Sequence, residues 1–118
     1  MKAKLVLGAA VLLLATTAQA GNAPSFFAVV DKDGTLARGY RAVSAKHLST
    51  GAYVVNFKAD VTGCSYTASV GLSGTSGSED DGTVHVAGRA SHPKSIFVRT
   101  YDMENAASDR GFHVIVAC

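Results

Sequence analysis

Cys64-Ser65-Tyr66-Thr67-Ala68-Ser69-Val70 is the stretch whose reading decides the fold. In an extended chain Cys64, Tyr66, Ala68 and Val70 fall on one side and Ser65, Thr67 and Ser69 on the other, the period of two of a strand with one buried and one wet face. The preceding run, Gly51-Ala52-Tyr53-Val54-Val55-Asn56-Phe57, behaves alike, with Tyr53, Val55 and Phe57 opposed to Val54 and Asn56. Ser49-Thr50-Gly51 supplies a tight reversal before it, so a hairpin with a strand over about 41–48 is expected. Farther out, Ser25 to Val30 reads as a strand ended by the turn Asp31-Lys32-Asp33-Gly34, where Asp tolerates turn geometry and Gly supplies positive φ. Thr83 to Ala87 turns Val84 and Val86 inward. Ser95 to Tyr101 is extended but ambiguous in facing, and Gly111 to Cys118 aligns Phe112, Val114, Val116 and Cys118. No window keeps a helical apolar spacing; the best candidate, Met103 to Ser108, is one turn in a loop. The expectation is an all-β domain, an antiparallel sandwich or partly open barrel of about six to seven strands with one disulfide.

The beginning of the chain is of another kind. Lys2 and Lys4, the apolar run Leu5 to Ala15 and Ala18-Gln19-Ala20 have the order of a secretory signal peptide, which predicts a mature domain over residues 21–118. The apolar run is shorter than the roughly 20 residues needed to span a bilayer, so no membrane insertion is expected after cleavage. The compartment is periplasmic or extracellular on this reading. The whole chain carries 11 Lys and Arg against 9 Asp and Glu, and removal of the two n-region lysines leaves it neutral. With the remaining cations dispersed singly along the sequence, nucleic acid is not expected as a partner.

Outside the cytoplasm two thiols in one small domain are most simply bonded, and Cys64 and Cys118 have no other partner in the chain. Both fall on the apolar phase of their strands, which predicts a buried cross-link. A redox role would call for close spacing and an electropositive thiolate, and neither is visible.

Other residues invite chemical readings. Asp31 and Asp33 resemble the start of a calcium loop, but the donors that complete one are missing from Thr35-Leu36-Ala37-Arg38-Gly39-Tyr40. Glu79, Asp80 and Asp81 close a Gly/Ser-rich segment, Gly71 to Gly82, that reads as an exposed mobile loop; an acidic run there is ordinarily solvated. His85 and His113 oppose the apolar phases of their strands and would share an exposed face, yet no two of the four histidines have metal-ligand spacing. No metal or other cofactor is expected. Around the last loop, Arg99, Asp102, Asp109, Arg110 and His113 are read either as a polar recognition rim or, more simply, as a loop fixed by pairing Arg99 with Asp109. Gly-x-Ser-x-Gly and its strand-turn-helix setting are missing, and a Ser/His/Asp inventory alone defines no triad.

Val61-Thr62-Gly63-Cys64-Ser65-Tyr66, Val98-Arg99-Thr100-Tyr101-Asp102 and Phe112-His113-Val114-Ile115-Val116-Ala117-Cys118, with the Tyr53 strand, resemble a small β-domain found in secreted bacterial proteins of uncharacterised activity. The resemblance covers most of residues 21–118. It implies a bacterial exported protein, an all-β fold and a Cys64 to Cys118 bond, and brings no site residues. Together these readings point to an exported non-enzymatic binding or structural module with an unidentified ligand or protein partner at the cell envelope or beyond. A small secreted hydrolase or metal-dependent enzyme using the histidine face is the alternative, and a secreted inhibitor or partner-binding protein whose loop 71–82 inserts into a target a second one.

Overall fold

In a computed structural model, residues 25–77 and 81–118 are described; the signal peptide read in residues 1–20 lies outside them, as do Glu79 and Asp80. Eight strands follow one another: β1 (Ser25–Val30), β2 (Leu36–Tyr40), β3 (Ala42–Ser49), β4 (Ala52–Phe57), β5 (Ser65–Val70), β6 (Thr83–Gly88), β7 (Ser95–Tyr101) and β8 (Phe112–Ala117). Every ladder is antiparallel. They form two four-stranded sheets, A in the order β2-β1-β8-β5 and B in the order β3-β4-β7-β6, packed as a sandwich. No helix occurs among the described residues.

The core comes from the two central strands of each sheet. Phe26, Ala28 and Val30 of β1 and Phe112, Val114 and Val116 of β8 face Tyr53, Val55 and Phe57 of β4 and Ile96 and Val98 of β7, all 2% exposed or less. Phe26 meets Phe57 at 5.5 Å and Tyr53 meets Phe112 at 5.2 Å between ring centroids, both edge to face, the arrangement the ring quadrupoles favour. The facing left ambiguous for β7 is settled: Ile96, Val98 and Thr100 are inward, Arg99 outward. Edge strands contribute less, which is why β2 alternates poorly and is the eighth strand beyond the expected six to seven.

One residue, Arg41, joins β2 of sheet A to β3 of sheet B with φ of +57°. A side chain in that region carries a cost of order 1 kcal/mol. Two contacts hold it: its carbonyl accepts from the Lys58 N–H at 3.0 Å, and its guanidinium lies 4.7 Å above the Phe26 ring.

Cys64 and Cys118 are bonded, with Cα atoms 4.5 Å apart. The expected burial of this bridge is corrected, since Cys64 is half-buried and Cys118 exposed. The phase was read correctly but the depth was not. Ser65 pairs with Ala117 as the last rung of the β5 and β8 ladder, so the bridge lies one step beyond it, at the open end of the sandwich.

Candidate binding face

Because the strands of sheet A are in register, their outward side chains form rows across the sheet. Tyr40, Phe27, Ile115 and Thr67 make one row over β2, β1, β8 and β5. Tyr40 is 56%, Phe27 39% and Ile115 57% exposed. On one side lies a row of small residues, Ser25, Ala117 and Ser65, all exposed. On the other lie Arg38, Val29, His113 and Ser69. The result is a shallow depression of about 350 Å3 whose lining includes Phe27, Val29, Arg38, His113 and Ile115. The structure places Phe27 and Tyr40 both on this outer face. The signal for Phe27 was the phase of β1, where Phe26, Ala28 and Val30 leave Phe27 and Val29 on the opposite side.

The segment after β5 folds back beside this face. Arg38 donates to the Ser73 carbonyl at 2.6 Å, His113 Nε2 lies 2.8 Å from the Leu72 carbonyl, and Arg110 Nε donates to the Asp81 carbonyl at 2.7 Å. The Gly71 N–H donates to Gly111 at 3.0 Å. Leu72, Ser73 and Asp81 are thus each held by a hydrogen bond to their backbone carbonyl. Val29, under the same anchors, is only 4% exposed.

The other residues singled out from sequence are dispersed. His85 is on β6 of sheet B and His113 on β8 of sheet A, so they do not share a face. Among the described residues no group of three or more His, Cys, Asp or Glu side chains is placed to hold a metal ion. The Asp33 carboxylate accepts from the Thr35 N–H, which lowers its pKa and marks it as a turn-former; Asp31 accepts through its backbone carbonyl from Gly34. Asp102 accepts from the N–H groups of Glu104 and Ala106, ordering the loop after β7.

The expected Arg99 to Asp109 pair does not form. Asp109 Oδ1 instead accepts from the Gly51 N–H at 2.6 Å and sits 2.9 Å from His47 Nε2, 62 residues away in sequence. Arg99 points outward from β7 opposite His85, while Asp109 turns toward the reversal between β3 and β4. Gly51, at φ of +67°, is required there, since a Cβ would meet the Thr100 carbonyl. The Gly51 N–H, then His47, pull the Asp109 carboxyl below its ordinary range against the opposing effect of partial burial. His47 leans on Tyr53 at 5.1 Å, and Tyr53 donates to the Lys32 carbonyl at 2.6 Å. Burial first, and the Asp109 charge second, push the Tyr53 phenol up to about 12, so it stays a neutral donor. This corner ties the turns following β1, β3 and β7 together. Its His47 and Asp109 have the outline of a catalytic dyad, but a dyad acts on a hydroxyl or water held at the free imidazole nitrogen, and none of the hydrogen bonds described places a hydroxyl there.

No protein-family model, curated protein or solved structure matches the chain.

Proposed function

We propose that the protein is an exported, non-catalytic binding module that holds a polysaccharide strand across the outer face of sheet A. The observation that carries this reading is the exposed row Tyr40, Phe27 and Ile115, which runs from the edge strand β2 across the two central strands of sheet A. Contiguous apolar surface on a small domain marks a contact surface. Its flatness and openness suit a polymer laid over it better than a small molecule enclosed by it. Aromatic rings offer their faces to the C–H side of a sugar ring, and the hydroxyls of Ser25, Ser65, Thr67 and Ser69 border the row where sugar hydroxyls would seek partners. The disulfide and the signal-like leader support an extracytoplasmic site of action. The resemblance to secreted bacterial β-domains agrees with it.

Co-sedimentation of the oxidised protein with insoluble peptidoglycan, cellulose and chitin tests the proposal. Retention on at least one is expected, with about a tenfold loss of affinity in the double variant Phe27→Ser, Tyr40→Ser at an unchanged melting temperature. Failure to sediment with any of the three, or retention that the double variant leaves intact, overturns it.

A further inference from the structure

The fold separates charges that the sequence scatters. β1, β3, β5 and β7 run toward one end of the sandwich and β2, β4, β6 and β8 return from it. The turns at the first end hold Asp31, Asp33, Asp81, Asp102, Glu104 and Asp109, against the cations Lys32 and Arg110 and the Arg38 guanidinium, which reaches Ser73 from β2. Connections at the second end hold Arg41, Lys58, Arg89 and Lys94, against Asp60. Among the described residues no strand carries an Asp or Glu. A neutral domain therefore has an acidic and a basic end, one strand length apart, so that two copies attract when aligned head to tail and repel when aligned end to like end.

Each end also has a shape. At the acidic end the loop after β7 is rigid: Asp102 accepts from Glu104 and Ala106, the Asp102 N–H donates to Ala106, Asn105 takes φ of +65°, and Ala107 bridges to Tyr101. It presents Met103, 63% exposed and the most exposed large apolar side chain described, beside Glu104. At the basic end a depression of about 360 Å3 is lined by Asn56, Ser91, His92, Pro93, Lys94 and Ser95. It too is preformed, since the N–H groups of His92, Ser95, Phe57 and Val61 all bond within or onto the loop before β7. The projection and the depression thus stand at the two ends of one strand, β7.

From this juxtaposition we infer that the chain binds a second copy of itself head to tail, Met103 entering the depression at Ser91 to Ser95 and Glu104 meeting Lys94. Both partners are ordered beforehand, so little conformational entropy is lost on contact. The interface is heterologous and leaves one projection and one depression free, so assembly continues along the strand axis rather than stopping at a dimer. The outer faces of sheet A then repeat along the assembly. This inference does not depend on what that face binds.

Sedimentation velocity of the oxidised protein from about 20 µM to about 1 mM tests it, because the expected contact is small and weak. Average mass should climb with concentration without a plateau at two copies. It should fall as salt rises from about 0.05 to about 0.5 M, where screening shortens to a few ångströms. Lys94→Glu, which spoils the depression, and the double variant Met103→Ser, Glu104→Ala, which spoils the projection, should each be monomeric with unchanged melting temperatures. Mixed together they retain one intact contact and should give a complex of two copies and no larger one. A wild-type protein monomeric throughout, a plateau at two copies, or variants that remain monomeric when mixed overturns the inference. A monomer whose basic end binds dextran sulfate, with Lys94→Glu abolishing it, overturns it in favour of a polyanion partner.

Discussion

The two outer faces of the sandwich are built from the same alternation and end up unlike. On sheet B the central outward residue, Val54, is 4% exposed: its cross-strand neighbours are Lys46 and Phe97, both long enough to close over it, and the Arg89 guanidinium stacks 5.3 Å from the Phe97 ring. On sheet A the corresponding apolar row, Tyr40, Phe27 and Ile115, is left bare, although the adjacent Val29 is covered. An outward apolar residue is therefore not one kind of thing. Val54 and Val29 are closed from water on strands whose register neighbours carry long side chains, whereas the row of Tyr40, Phe27 and Ile115 is left open. Apolar area removed from water contributes about 25 cal/mol per Å2, so the covered residues stabilise the fold and the bare ones contribute little to it.

The largest effect should come from the bridge, which joins the ends of β5 and β8 just past their last paired rung. Breaking it by reduction or by Cys64→Ser, Cys118→Ser opens a loop of 54 residues, worth about 4 kcal/mol on the chain-entropy model and a fall in melting temperature on the order of 20 °C. Because β1 and β8 share one core with β4 and β7, amide protection should fall in both sheets together. Protection lost in β1 and β8 alone would show the sheets to be independent units and would undo the comparison.

Next in size is Val54→Thr. The shape is kept but a hydroxyl is placed where there is almost no water, at a cost of about 2 kcal/mol by denaturant unfolding. A cost below about 0.5 kcal/mol would mean that Val54 is as open as Ile115 and that Lys46 and Phe97 do not cover it.

A smaller effect belongs to the corner that ties the turns. Asp109→Ala leaves the Gly51 N–H, on a buried residue, without its acceptor and should cost about 1 kcal/mol at neutral pH. The sign with pH follows from linkage. The Asp109 carboxyl binds its proton less readily folded than unfolded, so its contribution is complete above its unfolded pKa of about 3.9 and disappears as pH falls through the lower folded value. The carboxylate is 38% exposed, so solvent screening keeps this contribution small. The difference in melting temperature between wild type and Asp109→Ala should narrow below about pH 4. A constant difference down to pH 2 would assign the cost to packing rather than charge.

How much of this was legible follows from what each residue's position depends on. The inward phases of β1, β4, β5 and β8 were readable because alternation against one core is a local property of the chain. β2 was not, because Leu36-Ala37-Arg38-Gly39-Tyr40 is an edge strand with no buried face to pattern it, and it is a strand only because β1 pairs with it. The partner of Asp109 was also out of reach. His47 lies 62 residues away and meets it only because the reversal after β3 is brought against the loop after β7. The charge separation had the same origin, since spacing along the chain does not say which turns share an end until the strands are paired. Of the candidate face, Phe27 was available from the phase of β1, whereas Tyr40 depended on the strand that sequence patterning missed.

The smallest predicted effect is the one on which the comparison turns. Ile115→Thr makes the same kind of change as Val54→Thr, retains β-branching, and sits one row from Val29 on a central strand. With 57% of the residue already in water, loss of its apolar atoms should change stability by less than about 0.5 kcal/mol. A near-zero result beside a large one for Val54 would show that the row is dispensable to folding, as a surface kept for binding must be. A cost of about 2 kcal/mol would show instead that Ile115 is buried in solution by something the isolated chain supplies, and would move the row from the binding face to the core.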